Sequence, residues 1–260
     1  MLKEDISLTE VESGIREKLT RKNMSDRVVQ IRESEKKSHS EIYLKEKLYD
    51  TDGWLSKPIK TVREICTLFS DCQNIRVLDL GAGVGRNSIY LAEEFKSKEC
   101  LIDCVDFLDI AIDKLNQNAM EHDVSQHING IVESIEEYAI APDTYDLIMA
   151  VSALEHVDSE GAFVKKLEEI KHGIKNAGIA CLVMNSEIRE VNAVTYEELE
   201  PQFEVNMTTE KINSLIENTF KDWKVIKKSV VKQEYEIPRN GVTSKLSTNV
   251  ITFVVRKWKE

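Results

Sequence analysis

Three of the chain's ten glycines fall within five residues, in Val77-Leu-Asp-Leu-Gly-Ala-Gly-Val-Gly85-Arg-Asn-Ser-Ile-Tyr-Leu91. An apolar run, Ile75–Leu80, leads into them, and a helix-like pattern from Gly85 to Phe95 follows. Glycine tolerates positive φ and puts no Cβ between the backbone and a ligand. A tight strand-to-helix turn is therefore expected here. The helix behind such a turn offers free N–H groups and the positive end of its dipole. This is one β-α step of a parallel sheet, and it limits what the remaining chain can build.

The rest of the pattern agrees. Helices are predicted over Ile59–Phe69, Leu108–Glu121, Ala162–Ile174 and Thr208–Asn218. Strands are predicted over Leu101–Val105, Gly130–Val132, Tyr145–Val151 and Ile179–Met184. Two further strands, Trp223–Glu234 and Thr248–Arg256, close the chain around Asn240-Gly241, a pair suited to a hairpin needing positive φ. Strands alternating with helices imply an α/β fold: a doubly wound, mostly parallel seven-stranded sheet, Rossmann-like, with an antiparallel C-terminal edge hairpin. Residues 1–50 read differently, as two or three amphipathic helices. Ser7-x-x-Glu10 has capping-box spacing, and Val11, Ile15 and Leu19 follow at helical intervals. This N-terminal extension is either a lid or a homodimer contact, and residues 51–260 form the main domain.

The glycine spacing discriminates among ligands. A dinucleotide loop reads G-x-G-x-x-G, but position 86 is arginine. The observed order is Asp79-x-Gly81-x-Gly83-x-Gly85, with an acid two residues before the first glycine. A pyrophosphate gains nothing from that carboxylate, whereas a zwitterionic amino-acid group beside a sulfonium tolerates it. Asp106 ends the second strand about 20 residues on, where a carboxylate accepts from ribose hydroxyls. After the third strand, Ile131-Val-Glu133-Ser134-Ile135 offers a side chain and a backbone N–H to an adenine.

Residues of roughly 60–260 resemble the class I S-adenosylmethionine-dependent methyltransferases. Three segments carry the resemblance: the D-L-G-A-G-V-G loop, V-D-F-L-D-I-A-I at 105–112, and Tyr145-Asp146-Leu-Ile-Met-Ala-Val-Ser-Ala-Leu-Glu-His-Val157. The resemblance implies S-adenosylmethionine as cofactor. Asp79, Gly81, Ala82, Gly83, Gly85 and Arg86 would hold its methionyl part, Asp106 with Phe107 its ribose, and Glu133, Ser134 and Ile135 its adenine, with Val151 alongside. The third strand departs from the family's usual aspartate, leaving Glu133 or Ser134 in its place. A narrower likeness links Gly85-Arg-Asn-Ser-Ile-Tyr-Leu-Ala92 and the ending Thr248–Lys257 to the tellurite-resistance methyltransferases. That branch uses basic and histidine residues near the last hairpin; here Arg239 and Lys245 are present and no histidine is.

The acceptor side is less determined. Glu155 and His156 follow the fourth strand, where the transferable methyl should lie, and are the candidate catalytic pair. Tyr49 and Trp54 precede the family elements and are placed to close over a cation. Residues 185–207, with Asn185 and Glu187, read as a polar, substrate-side excursion after the fifth strand. Its six glutamates speak against a polyanionic acceptor.

Charge narrows the partner class. With 46 acidic against 35 basic residues, the net charge is -11 and the pI near 5.1. Such a surface repels phosphate backbones and anionic membranes. No run approaches the roughly 20 apolar residues of a membrane helix, and Met1-Leu-Lys-Glu-Asp lacks a signal-peptide layout. The five cysteines are scattered without Cys-x-x-Cys spacing, as expected of core thiols in a reducing cytoplasm rather than a metal site. The fourth strand also lacks the Asn/Asp-Pro-Pro-aromatic signature of base-amine methylases. The expectation is a cytoplasmic enzyme moving a methyl group to a small-molecule acceptor by in-line displacement. Alternatives are a non-catalytic sensor or interaction module, an oxyanion methyltransferase, and a nicotinamide-dependent oxidoreductase.

Overall fold

The computed structural model describes residues 26–50, 53, 55–239 and 242–258. In chain order, α1 (Asp26–Lys45) and α2 (Lys60–Cys66) precede β1 (Asn74–Leu80), α3 (Ser88–Glu94), β2 (Glu99–Asp106), α4 (Asp109–Glu121) and β3 (Ile128–Val132). Then come β4 (Tyr145–Val151), α5 (Glu160–Gly173), β5 (Ile174–Asn192), β6 (Glu198–Leu199), α6 (Thr209–Thr219), β7 (Lys224–Arg239) and β8 (Val242–Arg256). The sheet order is β3-β2-β1-β4-β5-β8-β7. Strands β1 to β5 are parallel, while β8 is antiparallel to both β5 and β7.

The central strands were legible because a parallel sheet is covered on both faces and its strands read as continuous apolar runs. Successive side chains alternate between two cores. Val77, Leu147 and Met149 join Ile89, Ile102 and Leu115 on one side. Leu78, Leu80 and Ile148 join Phe163, Leu167 and Phe253 on the other. Four of the five cysteines are buried and all five are free. No described helix is long and apolar enough to cross a membrane.

Two expectations need correction. The sheet has eight strands, not seven, because the two-residue β6 pairs with β5 at Glu190–Leu199 and Val191–Glu198. The fifth strand does not stop at Met184; it runs to Asn192, so the first third of the supposed excursion at 185–207 is sheet. Residues 187–190 alternate exposed and buried, and β8 lengthens to Val242 to pair with them across a register shift between Ser186 and Arg189. Polar side chains hid this strand, since its ladder is made by the backbone. In the N-terminal extension one helix, α1, is described; the capping box at Ser7 lies outside the described residues, as do Trp54 and the Asn240-Gly241 pair. Arg239 and Val242, which flank that pair, are ladder partners.

Candidate functional site

The glycine turn sits at the carboxyl end of β1. Gly81, Gly83 and Gly85 have φ of 74°, 54° and 89°, all in the left-handed region. At Gly81 an added Cβ would lie 2.5 Å from Ala153 Cβ, and at Gly85 2.5 Å from Leu115 Cδ1. The backbone thus passes closer to its neighbours than any side chain permits. The N–H groups of Gly81 and Ala82 donate to the Val105 carbonyl at 2.8 and 3.0 Å, tying the turn to β2.

Asp106 ends β2 beside that turn. Its Oδ2 accepts from the Gly83 N–H at 2.8 Å and its Oδ1 from the Leu108 N–H at 3.0 Å. An ionised carboxylate has about four acceptor positions, so each oxygen keeps capacity for a hydroxyl. Burial raises its pKa, and the two backbone N–H groups oppose that rise. Asp79, 2% exposed, accepts from Ser88 Oγ at 2.5 Å. Burial pushes its pKa up to about 7 against the pull of Ser88. A cation placed beside Asp79 would restore its charge.

The third strand delivers the other side of the crevice. The Glu133 N–H donates to the Asp106 carbonyl at 3.0 Å, which places the 133–135 segment next to Asp106. Ser134 Oγ is buried without a hydrogen-bond partner among the described residues, and Ile135 Cδ1 lies 3.6 Å from the position of a Cβ on Gly81. Val151 and Phe107 are buried and half-buried nearby in the sheet edge. These features fit an adenosyl group: a carboxylate with acceptor capacity, a cradle free of Cβ atoms and an unmet polar atom gather at the carboxyl ends of β1, β2 and β3.

Across this edge lies α1, part of the extension for which the sequence left a lid and a homodimer contact as alternatives. Tyr43, 4% exposed, brings its hydroxyl to 3.2 Å from a Cβ position on Gly83. Arg32 donates to Glu136 at 2.5 Å and Glu204 at 3.3 Å, and its guanidinium stands 5.7 Å over the Phe107 ring. His156 Nδ1 lies 3.1 Å from Glu35 Oε1 and 3.0 Å from Glu204 Oε2, and its ring stacks on Phe203. Burial alone would lower the His156 pKa, but Glu35, then Glu204 and Glu155, outweigh it and hold it at about 9. A pKa near 9 favours the imidazolium form of His156 at neutral pH. Glu35, Arg32 and Glu204 are charged residues in polar stretches, with no periodicity or motif to mark them; only the fold unites them.

Glu155 is fully enclosed. Its Oε1 accepts from the Asn185 N–H at 3.2 Å and from Asn185 Nδ2 at 2.5 Å, while its Oε2 is buried without a partner among the described residues. Burial raises its pKa. Asn185 in turn accepts from Thr248 Oγ1 at 3.3 Å. Tyr49 donates its hydroxyl to the Arg86 carbonyl at 2.8 Å, holding the segment after α1 against the turn. Burial lowers the Arg86 pKa.

Two predicted substrate residues are not brought to this cluster. Glu187 caps α6, accepting from the Thr209 N–H at 3.1 Å and from Asn249 at 2.9 Å. Lys245 pairs with Glu234 at 3.5 Å and stands opposite Val191, six positions beyond Asn185 on β5, roughly 20 Å along the strand. The side chain of Arg239 lies outside the described residues.

Comparison with known proteins gives these observations a setting. Residues 77–178 match the methyltransferase domain family. The fold is similar to that of TehB from Haemophilus influenzae, with 19% identity, a TM-score of 0.55, and coverage of 76% of this chain and 62% of that one. The chain therefore spans less than two thirds of TehB. A SAM-dependent methyltransferase from Methanosarcina mazei shares 14% identity at a TM-score of 0.54, covering 72% of this chain and 94% of that one. The 1,6-didemethyltoxoflavin-N1-methyltransferase of Burkholderia thailandensis, solved with 1,6-didemethyltoxoflavin and S-adenosylhomocysteine, matches over 100% of this chain and 94% of its own, at 13% identity and a TM-score of 0.51. Among curated proteins, none matches.

Proposed function

We propose that this chain, a class I S-adenosylmethionine-dependent methyltransferase, delivers its methyl group to a small-molecule acceptor held at the carboxyl end of β4. The observation that carries the reading is Asp106, a buried carboxylate pinned by the Gly83 and Leu108 N–H groups beside a turn of left-handed glycines. In this reading Asp106 and Phe107 hold the ribose, and Glu133, Ser134 and Ile135 hold the adenine beside Val151. Asp79, Gly81, Ala82, Gly83, Gly85 and Arg86 hold the methionyl part.

S-adenosylmethionine supplies a methyl group already activated by positive sulfur, so transfer needs an aligned acceptor lone pair and a dry site. The protein's share is then placement. Glu155 is the group positioned to take a proton from an N–H or O–H acceptor, because its Oε2 is free of partners among the described residues and burial raises its basicity. Asn185 holds the other oxygen and fixes the carboxylate plane. His156, already protonated, anchors α1 and orients by donating. Helix α1 with Tyr43 and Tyr49 forms a lid over the crevice. A covered crevice in a chain of net charge -11 suits a small molecule better than a nucleic acid. The likeness in fold to an N1-methyltransferase solved with the small molecule 1,6-didemethyltoxoflavin is in keeping with this acceptor class.

Calorimetric titration with S-adenosylmethionine tests the assignment. Asp106→Ala, checked for folding by circular dichroism, is expected to weaken binding by about 2 kcal/mol or more, the worth of two charge-assisted hydrogen bonds. Unchanged affinity in the folded variant would remove Asp106 from the ribose role.

A further inference from the structure

Strand β7 is the last strand of the sheet, and among the described residues no strand pairs with its outer edge. Its 16 residues are mostly exposed, including Val230 at 44%, Val231 at 52% and Tyr235 at 41%. A long open edge of this kind invites pairing with another chain. Lysines ordinarily deter that, but here charge is sorted along the strand. Lys224, Lys227, Lys228 and Lys232 come first, followed by Glu234 and Glu236. A strand basic at its start and acidic towards its end complements a second copy of itself only when the two run antiparallel.

The register can be worked out from the faces. Lys227 reaches Thr61 and Glu64 on one side of the sheet, while Lys228 reaches Glu217 of α6 on the other. Odd and even residues after 226 therefore point to opposite faces. In a two-fold antiparallel pair, residues directly opposed share a face, so the numbers of each pair must sum to an even value. The register that uses nearly the whole strand and opposes no like charges places Val231 on the axis. It sets Lys228 against Glu234 of the second copy, twice by symmetry, and Val230 against Lys232. Sliding by one pair either way opposes lysines: Lys228 with Lys232, or Lys232 with itself.

We propose that β7 is a self-association edge, pairing two copies of this chain antiparallel about Val231 into one continuous sheet. Sedimentation equilibrium of the full chain between 1 and 100 µM tests this. A two-chain mass is expected, with Lys228→Glu and Glu234→Lys each raising the dissociation constant at least about tenfold. The double variant restores the opposed charges in the reverse sense and is expected to recover most of that loss. In a Cys72→Ser background, Val231→Cys should form an intermolecular disulfide on oxidation, since opposed Cα atoms lie about 4.5–5.5 Å apart. Ser229→Cys, offset from its own copy, should not. Lys228, Val231 and Glu234 are exposed on the edge and Ser229 is half-buried there, and circular dichroism confirms that each variant folds. A single-chain mass at 100 µM overturns the proposal. So does a two-chain species that ignores both charge reversals and leaves Val231→Cys uncrosslinked.

Discussion

Glu35, in the middle of α1, sets its carboxylate 3.1 Å from the imidazole of His156, at the end of β4. The contact joins an element outside the βα framework to the segment that follows β4. Glu204 completes the arrangement from a third segment, and a side-chain nitrogen or oxygen atom from each of the three residues lies within 4.8 Å of the other two. Arg32 adds a second cation to the same carboxylate. A buried group of charges at this position links the seating of α1 to the protonation of one histidine.

Stability should therefore fall at alkaline pH. Folded His156 keeps its proton up to about 9, whereas the unfolded chain releases it near 6.5. The contribution is complete below 6.5 and is lost as pH rises through 9, with a full size of about 3 kcal/mol. Chemical denaturation of the wild type between pH 6 and 10 should show this loss. His156→Gln should be less stable at pH 6 and lack most of the slope.

Cofactor affinity should depend on pH in the opposite region. In the unliganded fold burial and the neighbouring Asp106 push the Asp79 pKa up to about 7, against the pull of Ser88 and Arg86. Below that value, binding of a cationic ligand must first expel a proton, so the dissociation constant should rise by up to about tenfold per pH unit. Calorimetry from pH 5.5 to 8.5 would reveal the slope, and Asp79→Asn should flatten it while weakening binding throughout.

Gly85→Ala should destabilise the fold. The residue has φ of 89°, and the added Cβ would meet Leu115 Cδ1 at 2.5 Å and Ile89 Cγ1 at 3.0 Å. Backbone strain and overpacking together should cost about 3 kcal/mol or more. A urea midpoint within error of the wild type would contradict this.

If α1 acts as the proposed lid, loosening its hold should speed cofactor exchange. Arg32→Ala removes the ion pairs to Glu136 and Glu204 and the contact with Phe107. Stopped-flow measurement of S-adenosylhomocysteine release should give a dissociation rate at least about tenfold faster, as expected for losing charge-assisted bonds.

Lys245→Ala should leave turnover unchanged. The side chain pairs with Glu234 on the ribbon, away from Glu155 and Asn185. A loss of turnover in methyl-transfer assays would bring the basic hairpin back into consideration as an acceptor site.

What the sequence determined by itself was everything that depends on neighbours along the chain. The glycine turn is local, because positive φ at 81, 83 and 85 is a property of residue type and spacing. The strands β1, β2 and β4 were readable because both their faces are buried, which forces apolar side chains at nearly every position. The position of Asp106 followed from the same logic, as the last residue of such a strand. The tertiary structure alone decided the rest. Strand β5 continues beyond Met184 because β8 supplies a backbone ladder, which side-chain polarity does not report. Glu35, Arg32 and Tyr43 meet His156, Glu204 and the glycine turn because α1 crosses the carboxyl edge of the sheet, and no local rule specifies where a polar helix docks. Charges brought together over such sequence distances acquire their pKa values and partners only from the packed chain.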